Sequence, residues 1–201
     1  MSQPKRGMIV ITAVVLMLVL GTSTSSRGQQ GAKARIDIQK LFTASGWMGD
    51  GEYGRKYIDF AGSSTENPHS PPTCIKITYT FGVARWAGIY WQNKPDNWGD
   101  SPGNDYSKQG FSRVTFWARG KSGTEVVEFK AGGIENSSKK YHDSFEVTLG
   151  RVTLTREWKQ YQIDLSGADL SSMIGGFCWV ASADYNPGAK MTFFLDDILL
   201  E

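Results

Sequence analysis

Apolar and polar residues alternate along most of the chain, and no segment keeps a 3.6-residue period beyond about two turns, so the elements it predicts are strands. Cys74–Thr80 sets Ile75, Ile77 and Tyr79 on one face and Lys76 and Thr78 on the other. The same pattern predicts strands at 35–39, 56–60, 87–92, 113–118, 125–132, 144–149, 159–165, 175–181 and 191–199. Between them lie clusters of Gly, Pro, Asn and Ser, such as 67–72 and 100–104, whose chemistry is that of turns. Ser166–Met173 is expected to form a helical turn with Ser166 as its cap. Roughly ten short strands at regular spacing without intervening helices describe an antiparallel two-sheet β-sandwich, expected as one domain over 33–201.

The start of the chain follows a different pattern. Lys5 and Arg6 precede an uncharged run, Met8 to Leu20, and then a stretch of small polar residues. As a helix that run reaches about 20 Å, short of the roughly 30 Å hydrocarbon core. It reads as a secretory signal over 1–28, which predicts a secreted protein, extracellular or periplasmic, with no membrane span after cleavage. Residues 1–28 hold three of the 22 basic side chains and none of the 20 acidic ones, so the remainder carries 19 and 20, a formal net charge of −1. That balance, with no local Lys/Arg cluster, argues against a nucleic-acid partner and suits an uncharged polysaccharide. Two cysteines exclude a four-cysteine zinc site; a Cys74–Cys178 disulfide is left open.

All 10 Phe, 8 Tyr and 7 Trp follow residue 28. In the strand at 86–92, Ala87, Ile89 and Trp91 share the more apolar face, which turns Trp86, Tyr90 and Gln92 outward, since a sandwich buries one face of each strand. By the same reasoning Val127, Phe129 and Ala131 are core while Glu128 and Lys130 face out. Trp98 lies in a turn-rich segment that offers little core. Rings beside amides and opposite charges suit sugars: rings stack on pyranose C–H faces and polar groups answer hydroxyls. The stacking candidates are Trp86, Tyr90, Trp98 and Trp179; the polar candidates are Gln92, Glu128 and Lys130.

The strands Cys74-Ile-Lys-Ile-Thr-Tyr-Thr, Trp86-Ala-Gly-Ile-Tyr-Trp-Gln, Val127-Glu-Phe-Lys-Ala-Gly-Gly, Trp158-Lys-Gln-Tyr-Gln-Ile-Asp-Leu and Phe193-Phe-Leu-Asp-Asp-Ile, in this order over about residues 36–201, resemble the galactose-binding-like β-jelly-roll carbohydrate-binding modules. The resemblance implies an all-β jelly roll that binds a polysaccharide or glycan on a concave sheet or at the loop end. Such modules are commonly joined to a catalytic domain, so a partner enzyme encoded elsewhere is left open. It also implies a structural Ca2+ between an early loop and the last strand, for which the matching acids are Asp50, Glu52 and Asp197.

Catalytic readings find less support. The Glu-x-Asp-x-x-Glu strand of jelly-roll glucanases is absent, and Asp196 and Asp197 are expected to face opposite sides of a strand. Val127–Gly133 is similar to one strand of jelly-roll alginate lyases, but their Gln-Ile-His and Arg-x-Glu-Leu strands are missing. A lyase would also need a base to take a ring proton, and Tyr141-His142 is the adjacent candidate. The expected function is a secreted, non-catalytic glycan-binding module; a jelly-roll polysaccharide lyase or glycoside hydrolase is the alternative.

Overall fold

Strand alternation resolves into two antiparallel sheets in the computed structural model, which describes Met1, residues 34–53 and residues 56–201. The expected export segment therefore falls, Met1 apart, outside the described residues. Among the described residues no helix is long and apolar enough to cross a membrane.

One sheet has the order β3 (Ile58–Ser64), β4 (Cys74–Thr80), β11 (Lys190–Leu200), β6 (Arg113–Gly120), β9 (Lys159–Asp164), with β1 (Ile36–Asp37) also paired to β11. The other has the order β2 (Thr43–Gly49), β5 (Trp86–Gln92), β10 (Gly175–Ser182), β7 (Val126–Gly132), β8 (Glu146–Thr153). A single helical turn, α1 (Ile38–Leu41), and a 3₁₀ turn, Asp50–Tyr53, flank β2. The sequence-predicted strand at 35–39 is thus cut short: Asp37 accepts from the Gln39 N–H and caps α1. Sequence periodicity misses β2, whose Thr-Ala-Ser-Gly-Trp-Met-Gly composition reads as a loop. Residues 166–173 form a turn and irregular chain rather than a helix, and Asp164 accepts the Ser166 N–H.

The inward faces are those the alternation assigns. Ile75, Ile77 and Tyr79 of β4, Ala87, Ile89 and Trp91 of β5, and Val127, Phe129 and Ala131 of β7 are all buried. Aromatic rings lock the two sheets together. Phe116 of β6 lies 4.7 Å from Phe129 and 5.0 Å from Phe177, both on the opposite sheet. Trp179 of β10 meets Phe193 of β11 edge-on at 5.1 Å. Such contacts add directional preference to the hydrophobic gain of burying large rings.

Asp50 fixes one end of the sandwich. Its carboxylate is fully buried and accepts from the Tyr79 hydroxyl at 2.5 Å, the Ala84 N–H at 2.8 Å and the Gly82 N–H at 2.9 Å. Burial works against its charge, but the Tyr79, Ala84 and Gly82 donors outweigh that and hold the carboxyl below its ordinary value. Cys74 and Cys178 are buried free thiols on different sheets.

Phe177 touches Trp91, Phe116 and Phe129 and is fully buried. Phe177→Ala is expected to lower the unfolding free energy by about 3–5 kcal/mol, read by urea denaturation; a loss below about 1 kcal/mol would mean the sheets do not depend on this contact.

Candidate functional site

Because each strand gives one face to the core, the other faces of β2, β5, β10, β7 and β8 form a second surface. Strand register arranges its side chains in rows. One row runs Gly46, Tyr90, Cys178, Lys130, Thr148; the next runs Met48, Gly88, Val180, Glu128, Arg151. Gly88 matters in the second row. A Cβ there would fall 2.7 Å from the Trp179 carbonyl and 2.8 Å from the Met48 methyl, so its absence lets Met48 and Val180 close into a low apolar floor.

Two loops rise beside the first row. In the 93–104 loop, Asn97 is the organiser: its side-chain oxygen accepts from the Gly99 and Ser101 N–H groups, and its amide donates to Asn93 and the Ser101 carbonyl. Gly99, at φ 104°, passes so close to the Tyr141 carbonyl that a Cβ would sit 2.4 Å from it. The result is a Trp98 ring set perpendicular to Tyr90, with centroids 6.0 Å apart at 87°. The second loop, 133–143, is held by Asp143, which accepts from the N–H groups of Ile134 at 2.7 Å, Ile174 at 2.5 Å and Gly175 at 3.1 Å. The Tyr141 N–H donates to the Gly99 carbonyl, tying the loops to each other.

Between them lies a recess of about 250 Å³ lined by Met48, Tyr90, Trp98, Lys130, Ile134 and Asn136. The Lys130 ammonium sits 5.5 Å from the Tyr90 ring centre and pairs with Glu146 at 3.1 Å. Burial, first of all, pushes the Tyr90 phenol far above its ordinary value, so it stays protonated and donates to the Gly132 carbonyl at 3.1 Å. Further along the face, Tyr185 is 52% exposed with the Arg151 guanidinium 4.0 Å from its ring centre.

The structure brings Tyr90, Trp98, Glu128 and Lys130 to one face. Trp86 is 40% exposed on the same strand face, four residues or about 13 Å from Tyr90. Two expected ligand contacts are placed elsewhere. Trp179 is fully buried between the sheets against Phe193, so it belongs to the core and stacks on no sugar. Gln92 points away from the core, as expected, but is fully buried under the 93–104 loop; it accepts from Ser45 at 2.7 Å and donates to the Asn97 carbonyl at 2.9 Å. It positions the loop that carries Trp98. Tyr90 is also only 2% exposed, so its outward face is largely roofed. Met48, Val180, Arg151 and Tyr185 were not legible as site residues, since single apolar or basic residues next to glycine and serine carry no motif.

The expected calcium ligands do not converge. Asp50 lies beyond the Tyr79 end of β4, while Asp197 lies beside the loop preceding its Cys74 end, separated by on the order of 20 Å of strand. Glu52 is exposed. The Asp50 oxygens already accept three donors, and among the described residues no group of three or more His, Cys, Asp or Glu is placed to hold a metal ion. A shared Ca2+ does not fit these residues.

Asp196 and Asp197 depart from the expected opposite orientation. A register shift in β11 and φ 47° at Asp197 bring both carboxylates to the dipeptide His69-Ser70. Asp196 accepts the Ser70 N–H at 3.0 Å; Asp197 meets the Ser70 hydroxyl at 2.5 Å and His69 Nδ1 at 3.0 Å. His69 stacks on Trp117 at 3.8 Å, which makes this a loop anchor on the six-stranded sheet.

No protein-family model matches the chain, and no curated protein sequence matches it. Solved structures do. A family 11 carbohydrate-binding module from Clostridium thermocellum, in complex with a β-1,3-1,4-mixed-linked tetrasaccharide, superposes with a TM-score of 0.55 at 14% identity, over 83% of this chain and 93% of that one. A family 30 carbohydrate-binding module gives 0.54 at 18% identity, over 84% and 98%. The family 30 module of a cellulosomal cellulase of Clostridium thermocellum gives 0.51 at 18%, over 80% and 92%. The chain shares its two-sheet β-sandwich fold with these modules. At such identities the similarity speaks for architecture, and the ligand has to be argued from the recess.

Asp143, which holds the wall of the recess, generates a pH test. Burial pushes its carboxyl from 3.8 up to about 6, against the pull of the Ile134, Ile174 and Gly175 N–H groups. Between about pH 4 and pH 6 the native chain holds a proton there that the unfolded chain has released. This contribution to stability is therefore full below about pH 4 and lost as the pH rises through about 6. Melting temperatures of wild type and Asp143→Asn, compared from pH 4 to pH 7, should show the wild type losing ground with rising pH; a constant difference would remove Asp143 as a titrating group.

Proposed function

We infer that this chain is a secreted, non-catalytic glycan-binding module that takes a polysaccharide chain on the outer face of the five-stranded sheet. The observation that carries this reading is the Trp98 ring, propped edge-on against the buried Tyr90, beside the Met48–Gly88–Val180 floor, with charged side chains on the flank. A partly exposed indole at the edge of an apolar floor suits the C–H face of a pyranose, and Lys130, Glu128 and Asn136 stand where hydroxyls need partners. Trp86 supplies a second ring about 13 Å further along the strand, so the ligand is a chain of sugars rather than one ring. The basic start and short apolar run of residues 1–28 support export, and the near-neutral remainder suits an uncharged glycan.

The shared architecture with modules of families 11 and 30 supports the same reading, and the oligosaccharide held by the family 11 module makes mixed-linked β-glucan a first probe for this chain. The non-catalytic part rests on the histidine that a lyase would need. His142 is exposed, does not line the recess, and its ring takes no hydrogen bond among the described residues, so nothing fixes a tautomer for proton abstraction.

Affinity electrophoresis in gels containing mixed-linked β-glucan, xylan, galactan or cellulose derivatives is expected to retard the protein on at least one glycan. Trp98→Ala should weaken that retardation about tenfold or more, the loss of roughly 1.4 kcal/mol of binding, without loss of folding. Migration unaffected by every glycan, or by the substitution, would remove the reading. Release of reducing ends or unsaturated uronates, abolished in His142→Ala, would instead establish an enzyme.

A further inference from the structure

The outer face of the other sheet carries a larger cavity of different chemistry. It measures about 430 Å³, in the range of small-ligand sites, and no aromatic ring lines it. Its floor is the register pair Thr78 of β4 and Thr192 of β11, whose hydroxyl oxygens lie 3.0 Å apart. Three lysines from separate segments surround that floor. Lys76 stands two residues from Thr78 on β4, Lys190 two residues from Thr192 on β11, and Lys121 follows β6 with its N–H donating to the Thr192 carbonyl at 3.0 Å.

Three acids stand beside these three lysines, and two of them are already engaged. Glu66 pairs with Lys76 at 2.6 Å. Glu125 is buried, and its carboxylate accepts the N–H groups of Ser122, Gly123 and Thr124, so its charge closes the β6–β7 turn. Asp59, in register with Thr78, stands exposed at the β3 side. Among the described residues eight ion pairs occur, and Lys121 and Lys190 belong to none of them. A cavity with two ammonium groups outside any ion pair, Lys121 and Lys190, beside a threonine hydroxyl pair offers a small anion both charge and a hydrogen-bonding group. Without a ring to stack on, recognition there runs through charge and hydrogen bonds.

We propose that this cavity is a second ligand site, independent of the aromatic face, that binds a small hydroxylated ligand through an oxyanion (phosphate, sulfate or carboxylate) held between Lys121, Lys190 and the Thr78–Thr192 floor. Its occupant is a charged sugar or a free anion, in contrast to the uncharged glycan of the opposite face.

The test is an amide chemical-shift titration of the protein with glucose 6-phosphate, glucuronate, inorganic phosphate and, as the uncharged control, glucose. The sugar anions are expected to move the signals of Thr78, Lys121 and Thr192 with dissociation constants near about 1 mM, weakening as salt is raised. Glucose should leave those signals in place. Inorganic phosphate binding as well as the sugar phosphate identifies a site for the anion alone; preference for the sugar acids identifies one that also reads the ring. Lys121→Ala combined with Lys190→Ala should weaken binding about tenfold or more with an unchanged melting temperature, while Trp98→Ala, on the other face, leaves it intact. Signals unmoved by all three anions, equal movement by glucose, or undiminished binding in the double variant would overturn the proposal. Glycan retention in affinity gels reports on the aromatic face separately, so the two readings fail independently.

Discussion

The packing of Phe116 against Phe129 and Phe177, with Trp179 against Phe193, is the contact on which the other features rest. It joins the two sheets through rings too large to be accommodated anywhere but between them. Once each strand has committed one face to this layer, pleating assigns every alternate residue to the outside. The two outer faces are therefore consequences of the core. What they can bind depends on which side chains the alternation leaves there and which loops cover them.

The two faces differ in kind. On the five-stranded sheet, Gly88 lowers the centre of a row whose neighbours are Met48 and Val180, and loops pinned by Asn97 and Asp143 set Trp98 over Tyr90. The apolar area and the polar rim come together there because the loops that bring the indole also consume their own backbone donors internally. On the six-stranded sheet, threonines occupy the centre of the cavity and lysines its periphery, while Phe194 is covered by Arg119, whose guanidinium lies 3.6 Å from its ring centre, and Trp117 by His69. One face offers stacking and the other charge, from a single sandwich whose residues after 28 are formally almost neutral.

Much of this was legible in the sequence. Ile75, Ile77 and Tyr79, or Val127, Phe129 and Ala131, alternate so cleanly that their faces follow from period alone. Trp98 was recognisable as standing outside the core because a tryptophan among turn residues has no strand face to bury it. The failures have physical causes. Trp179 sits in a strand whose neighbours are apolar on both sides, so pattern does not choose its face; contact with Phe193 does. Gln92 lies on the predicted side of β5, but whether a loop folds over it depends on the Asn97 hydrogen bonds, which no local pattern reveals. The acids Asp50 and Asp197 were paired only by what the resemblance to the galactose-binding-like modules implies, and strand β4 separates them. The lysines 76, 121 and 190 meet only through β4–β11 pairing and the β6–β7 turn, a convergence of distant segments.

The central claim is that a glycan lies along the outer face of the five-stranded sheet. The most direct test is an amide and indole chemical-shift map of the protein with the oligosaccharide selected by affinity gels. The Trp98 and Trp86 indole signals are expected to move together with Gly88, Val180 and Glu128, while signals on β3, β4 and β11 stay in place. Perturbations confined to the six-stranded sheet, or to the ends of the sandwich away from Trp98, would contradict it.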